Sequence, residues 1–334
     1  MDASGNLYGT TNIGGAYSDG TVFKITPSGT ESVLYSFGSV ANDGVHPEAG
    51  LVMDASGNLY GTTNIGGAYS DGTVLKITPS GTETVLHSFG SVTNDGAYPY
   101  AGLVMDASGN LYGTTSRGGA YSDGTVFKIT PSGTESILYS FGSVTNDGAY
   151  PEAGLVMDAS GNLYGTTEFG GAYSDGTVFK ITSSGTESIL YSFGSVAEDA
   201  TNPAARLMMD ASGNLYGTTA GGGLYDYGTV FKITPSGTES ILYSLAGAYF
   251  SYYDGMDPQS GLVMDASGNL YGTTEFGGAY SDGTVFRINP GDYSKGFGSS
   301  KPDEGSPANS NYPSDHSKGF GFSKPDEGSP ANSN

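Results

Sequence analysis

GLVMDASGNLYGTTNIGGAYSDGTVLKITPSGTETVLHSFG, running from Gly50 to Gly90, contains four apolar runs of strand length: GLVMD ending at Asp54, NLYGTT from Asn58, GTVLKIT from Gly72 and ETVLHSF from Glu83. Each run is rich in β-branched and aromatic residues and bounded by Gly, Pro, Asn, Asp or Ser, the pattern of short strands. The linkers DASGN and TPSGT are tight, and each carries a glycine where a hairpin turn calls for positive φ. No run sustains a helical period. The stretch therefore reads as two hairpins joined by the longer connection NIGGAYSDG.

The same stretch recurs along the chain. MDASGNLYGTT begins at Met1, Met53, Met105, Met157 and Met209, a spacing of 52 residues, and again at Met264 after 55. Four antiparallel strands repeated at this period are the signature of a β-propeller, in which each repeat is one blade of a ring. A β-solenoid is the rival, but its coils are shorter and its strands parallel, which fits poorly with two tight hairpins per period. The fold expected is all-β: a six-bladed β-propeller of four-stranded repeats over residues 1–288, followed by an extended Gly/Ser/Pro tail.

Composition agrees with an ordered chain and removes several function classes. Of 334 residues 56 are Gly, which alone would suggest disorder, but 25 Tyr and 15 Phe supply the apolar area that disordered chains lack. Cysteine is absent, which excludes disulfides and thiolate zinc sites. A net charge of −22 sets the chain against phosphate backbones and anionic membranes, so no nucleic-acid partner is expected. No apolar run reaches the length needed to span a bilayer, so no membrane insertion is expected either.

The strands do not fill six blades evenly. NLYGTT and GTVFKI occur six times, the SVLYSF and GLVMD strands five, so a complete ring lacks the counterpart of Thr26 through Val52, 27 residues. After Ile288 come two near-copies of 23 residues, NPGDYSKGFGSSKPDEGSPANSN (289–311) and YPSDHSKGFGFSKPDEGSPANSN (312–334). The first copy keeps the outline of the missing half-repeat and is expected to close the ring. The second then has no vacancy in its own molecule and is expected to enter a neighbour's, through Tyr312, His316, Phe320 and Phe322. Such strand donation joins unlike surfaces and propagates head to tail into a homo-oligomer or filament. A flexible linker to a surface anchor is the competing reading of the same composition.

The recurring D-x-x-G-N-L-Y-G-T-T, G-G and G-T-V-F-K, closed by a strand ending in Phe, resembles the GloVer (Gloeobacter–Verrucomicrobia type) tandem repeat of bacterial surface proteins. The resemblance covers residues 1 to about 288. It implies a secreted or surface-attached propeller-like array and no known enzymatic activity. At its end the chain departs from the hydrophobic sorting tail of that family, and Met1 falls in register with the repeat methionine in place of a signal peptide.

The residues point away from catalysis. His46, His87 and His316 each stand where sister copies carry tyrosine, and no Ser-His-Asp or metal-ligand spacing emerges. Near-identical blades also give carboxylates near-identical environments, whereas acid–base work needs separated pKa values. No catalytic residues are assigned. Calcium is the one cofactor that the acidic, glycine-rich loops could take, through Asp19, Asp71, Asp123, Asp175 and Asp282 of the AYSDG motif. The alternative is that these aspartates, like Asp2 of DASGN, only shape turns. A two-residue loop varies among copies and places Arg117, Phe169 and Phe276 at candidate ligand contacts, glycans being the expected class, beside recurring tyrosines such as Tyr17 and Tyr69.

Overall fold

A computed structural model describes residues 1–247 and 254–289. Every regular element among them is a β-strand. In the second blade the strands are Val52–Met53, Leu59–Thr63, Thr73–Ile77 and Glu83–Ser88, hydrogen-bonded in that order. The middle hairpin runs in register from Leu59↔Ile77 to Thr63↔Thr73. A bulge between Val74 and Leu75 shifts its pairing with the fourth strand, and the same bulge recurs at Val22/Phe23, Val126/Phe127, Val178/Phe179 and Val230/Phe231. Bulges increase strand twist, which suits blades that must fan around an axis.

The two turns close as their residues dictate. Asp54 Oδ1 accepts from the backbone N–H groups of Ser56 and Asn58 at 2.9 Å each, and Oδ2 from Asn58 Nδ2 at 2.8 Å and Tyr60 Oη at 3.0 Å. Gly57 takes φ 79° to complete this turn. In the second turn Thr78 Oγ1 accepts from the Thr82 N–H at 3.1 Å. A feature that the run pattern does not announce is a two-residue ladder, Gly44–Val45 with Ile65–Gly66, repeated four more times between successive blades. It ties together the two long loops.

The apolar core lies between blades, not within them. Tyr60, Val74 and Phe89 of the second blade pack on Leu103, Leu111, Phe127 and Ile129 of the third, and four further seams repeat the arrangement. Phe89 meets Phe127 edge to face at 5.1 Å, as Phe141 meets Phe179 and Phe193 meets Phe231. Threonines lock the seams laterally: Thr62 Oγ1 donates to the Ala101 carbonyl at 3.0 Å. Consecutive blades also approach closely beside the first strands, where a Cβ on Gly102 would lie 3.1 Å from the Gly50 carbonyl oxygen.

The architecture is a six-bladed β-propeller arrangement in which, among the described residues, the two end blades have three strands each. The first blade has only Leu7–Thr11, Thr21–Ile25 and Glu31–Ser36, and the last only Val263–Met264, Leu270–Thr274 and Thr284–Ile288. Among the described residues nothing packs on their outward faces as the neighbouring blades pack on one another. Val285 is 80 % exposed where Val22, Val74, Val126, Val178 and Val230 are fully buried, and Leu7 is 52 % exposed where Leu59 and Leu111 are buried.

Candidate functional site

Two places concentrate polar chemistry: the loop rim and the carboxyl groups inside the seams. On the rim the strained loop residue Tyr150, at φ 56°, is held by its N–H donating to the Asp123 carbonyl at 2.9 Å. Its ring carries the Arg117 guanidinium at 4.6 Å and meets the Phe169 ring at 5.9 Å, nearly perpendicular. The structure thus brings together two of the three variable-loop contacts. Phe276, 47 % exposed, belongs to the last blade. Glu152 and Glu168 border the stack. Burial raises both, and Glu152 is raised further by the Glu168 and Glu48 charges against the lowering effect of Arg117. The AYSDG tyrosines Tyr17, Tyr69, Tyr121, Tyr173 and Tyr280 are all more than half exposed, one per blade.

The AYSDG aspartates are spread around the rim, one to a blade. The Asp19, Asp71, Asp123 and Asp175 carboxylates lie over Gly38, Gly90, Gly142 and Gly194, and their main-chain carbonyls hold the next loop in place. Asp282 of the last blade is exposed. In the fifth copy Tyr227 takes the place of this aspartate and packs on Gly247. The DASGN aspartates have both carboxylate oxygens engaged in turn hydrogen bonds. At Asp2 these bonds, that from the Asn6 amide foremost, hold the carboxyl well below the usual carboxylate range.

Inside the seams a carboxyl pair recurs. Tyr139 Oη donates to Asp147 Oδ2 at 2.8 Å, and Glu187 of the next blade faces that aspartate. Burial, reinforced by the Asp147 charge, pushes Glu187 up to about 7. Glu83 beside Asp43 and Glu239 beside Asp199 are pushed up to about 7 for the same reasons. Burial likewise pushes Tyr35 up to about 12, with the Asp43 hydrogen bond adding to it.

The second seam departs from this pattern. His87 occupies the tyrosine position, with Nε2 3.4 Å from Asp95 Oδ2 and 3.6 Å from Glu135 Oε2. Among the described residues these three form the one group of His, Asp and Glu side chains close enough to share an ion. Sequence reading passes over them because Glu135 follows Asp95 by 40 residues and arrives only when blades stack; the visible signal is one histidine in a constant tyrosine column. His46 is engaged differently, its Nδ1 lying 2.9 Å from Asn12 Oδ1. Tyr312, His316, Phe320 and Phe322, and both tail copies beyond Asn289, lie outside the described residues.

A cleft of about 310 Å³ between hairpins of the fourth and fifth blades is lined by Asp158, Tyr164 and Lys180. Its polar groups already serve one another: Tyr164 Oη donates to Asp158 at 3.0 Å, and Lys180 Nζ lies 5.6 Å from the Tyr164 ring. No helix of the described residues is long and apolar enough to cross a membrane.

Among solved structures the chain is similar to the extracellular domain of a candidate hybrid two-component system from B. thetaiotaomicron. The TM-score is 0.53 at 14% identity, over 86% of this chain and 33% of that one, so the chain spans about a third of that protein's length. It is also similar to a candidate gluconolactonase, with TM-score 0.45 and 15% identity over 86% of this chain and 90% of that one. The first likeness bears on the fold alone. No curated protein matches the chain. The sequence matches the Gloeobacter/Verrucomicrobia repeat over residues 1–160 and 144–316. The blade pattern recurring along the chain, together with that match over most of its length, places this protein in the Gloeobacter/Verrucomicrobia repeat family.

Proposed function

We propose that the protein is a non-catalytic, extracellular structural module that self-assembles into a filament or surface layer by offering its C-terminal segment to a neighbouring propeller. The observation that carries this reading is the pair of end faces exposed among the described residues. Each blade's valine face is covered by the leucine face of the next, five times over, and the chain ends with one of each exposed, Val285 and Leu7. Among the described residues the last blade ends on the strand Thr284–Ile288, with no counterpart of the fourth strand that complete blades carry, an edge of the kind that sheets pair or protect. Residues 289–311 have the length and outline to supply that strand within the molecule, and residues 312–334 repeat them.

An absence of catalysis is in keeping with where the titratable groups lie. The carboxyls with the largest upward shifts are enclosed in seams, and His87, with a side chain 10 % exposed, is not presented to a substrate. An extracellular location is supported by the resemblance of the repeat to those of bacterial surface proteins.

Removal of Tyr312–Asn334 tests the assembly reading by light scattering on the eluting protein. The full chain is expected to elute as large species and the shortened chain as monomer. Equal assembly by both overturns the proposal. A second reading, a tethered glycan- or calcium-binding module, is favoured by the Arg117–Tyr150–Phe169 stack and the exposed tyrosine column. It calls for saturable binding by a monomer, unaltered by loss of the tail.

A further inference from the structure

The seam between the second and third blades holds a side-chain cluster that neither assembly nor the rim loops use. In the sister seams a tyrosine hydroxyl reaches the aspartate: Tyr35, Tyr139, Tyr191 and Tyr243 donate to Asp43, Asp147, Asp199 and Asp254 at 2.8–3.0 Å. Imidazole is shorter than phenol. At His87 the ring stops short, and its Nε2 has no hydrogen-bond partner although the side chain is only 10 % exposed. Glu135 Oε1 is buried and unpartnered as well, a trait it shares with Glu83, Glu187 and Glu239 of the sister seams, so the unpartnered imidazole nitrogen is what sets this seam apart.

The separations are informative. Nε2 to Asp95 Oδ2 is 3.4 Å and Nε2 to Glu135 Oε2 is 3.6 Å, beyond the roughly 2.7–3.2 Å of a hydrogen bond. Zinc bonds of about 2.0–2.1 Å arranged tetrahedrally put neighbouring ligand atoms about 3.4 Å apart. The three ligand atoms all lie within 4.8 Å of one another, so one ion can reach them with small rotations.

The carboxylate is also aimed in advance. Asp95 Oδ2 accepts from the Ser91 N–H at 2.8 Å and from Ser91 Oγ at 3.1 Å, while Oδ1 accepts from the Gly96 N–H at 2.8 Å. Such outer contacts orient a ligand before metal arrives. The His87 ring is braced edge to face on Phe89 at 4.9 Å.

We propose that His87, Asp95 and Glu135 form a binding site for one zinc ion, or a divalent transition ion of similar character, that staples the second blade to the third. One imidazole nitrogen and two carboxylate oxygens are a borderline donor set, suited to zinc and unsuited to calcium, which takes oxygen alone. The fourth position is left to water. Enclosure in the seam makes the role structural, and binding only the folded state raises stability with zinc concentration. The inference is independent of assembly and of the rim loops.

The test uses the full chain, stripped with chelator, loaded with zinc chloride and desalted. The wild type is expected to retain one zinc per chain by elemental analysis and to melt at a higher temperature than the stripped protein. His87→Tyr restores the side chain of the sister seams, so its fold is provided for, and it is expected to lose that equivalent and the thermal shift. Glu135→Gln, which keeps the side-chain shape, is expected to do the same and carries the comparison should His87→Tyr fold poorly. Loading with cobalt gives an independent readout, a visible tetrahedral spectrum in the wild type that both variants lack. A wild type that retains no zinc, which is the outcome if a protonated His87 simply bridges the two carboxylates, overturns the proposal. So does zinc retained equally by the variants, which places it elsewhere.

Discussion

Glu187→Gln is expected to stabilise the protein at alkaline pH and to change little at pH 5. Glu187 sits in the third seam opposite Asp147, and burial raises its carboxyl from an ordinary 4.5 to about 7. The folded state therefore holds the proton more tightly than the unfolded chain. The stability this gives is fully present below about 4.5, declines as pH rises, and is gone above about 7. At face value, taking the wild type from pH 5 to pH 8 costs about 2.5 kcal/mol at this one group. Half-burial leaves part of the charge solvated, which brings the cost to about 1–2 kcal/mol. Glutamine carries no charge at either pH and escapes it. Denaturant unfolding of both proteins at pH 5 and pH 8, compared as differences because repeat arrays need not unfold in one step, reads the effect. A variant advantage that grows by about 1–2 kcal/mol between the two pH values supports the seam electrostatics. An advantage independent of pH, or one that shrinks as pH rises, refutes them.

Other consequences follow from the same geometry. Phe141→Ala opens the seam core and is expected to cost about 3–5 kcal/mol in unfolding free energy, whereas Val285→Ala in the chain without residues 312–334 should cost almost nothing, its side chain being 80 % exposed. Asp106→Ala removes the acceptor of four turn hydrogen bonds and is expected to lower unfolding free energy by about 1–3 kcal/mol, measured by the same unfolding curves. If the AYSDG aspartates take calcium, titration calorimetry on the chelator-stripped chain gives saturable heats that Asp71→Asn and Asp123→Asn together reduce; unchanged heats assign those side chains to loop shaping alone.

Much of the fold is legible in the sequence because each blade carries its own punctuation. DASGN and TPSGT mark both hairpins, and the 52-residue return of MDASGNLYGTT marks the blades. Two-residue strands such as Gly44–Val45 leave no periodicity to read, and the third-strand bulge is a matter of twist that alternation does not encode. The site is less legible for a physical reason: its contacts cross blades. Arg117 and Phe169 stand out as variation in a constant loop, but that they share Tyr150 depends on how adjacent loops stack. His87 reads as aromatic drift until Glu135 is brought beside it from the next blade.

The central claim is that unlike end faces and a duplicated tail make a propagating assembly. Electron microscopy of the purified full chain beside the chain ending at Asn311 tests it most directly. The account predicts filaments or sheets with a repeat of one propeller for the full chain and isolated propellers for the shortened one; isolated propellers in both samples, or the same polymers in both, would contradict it.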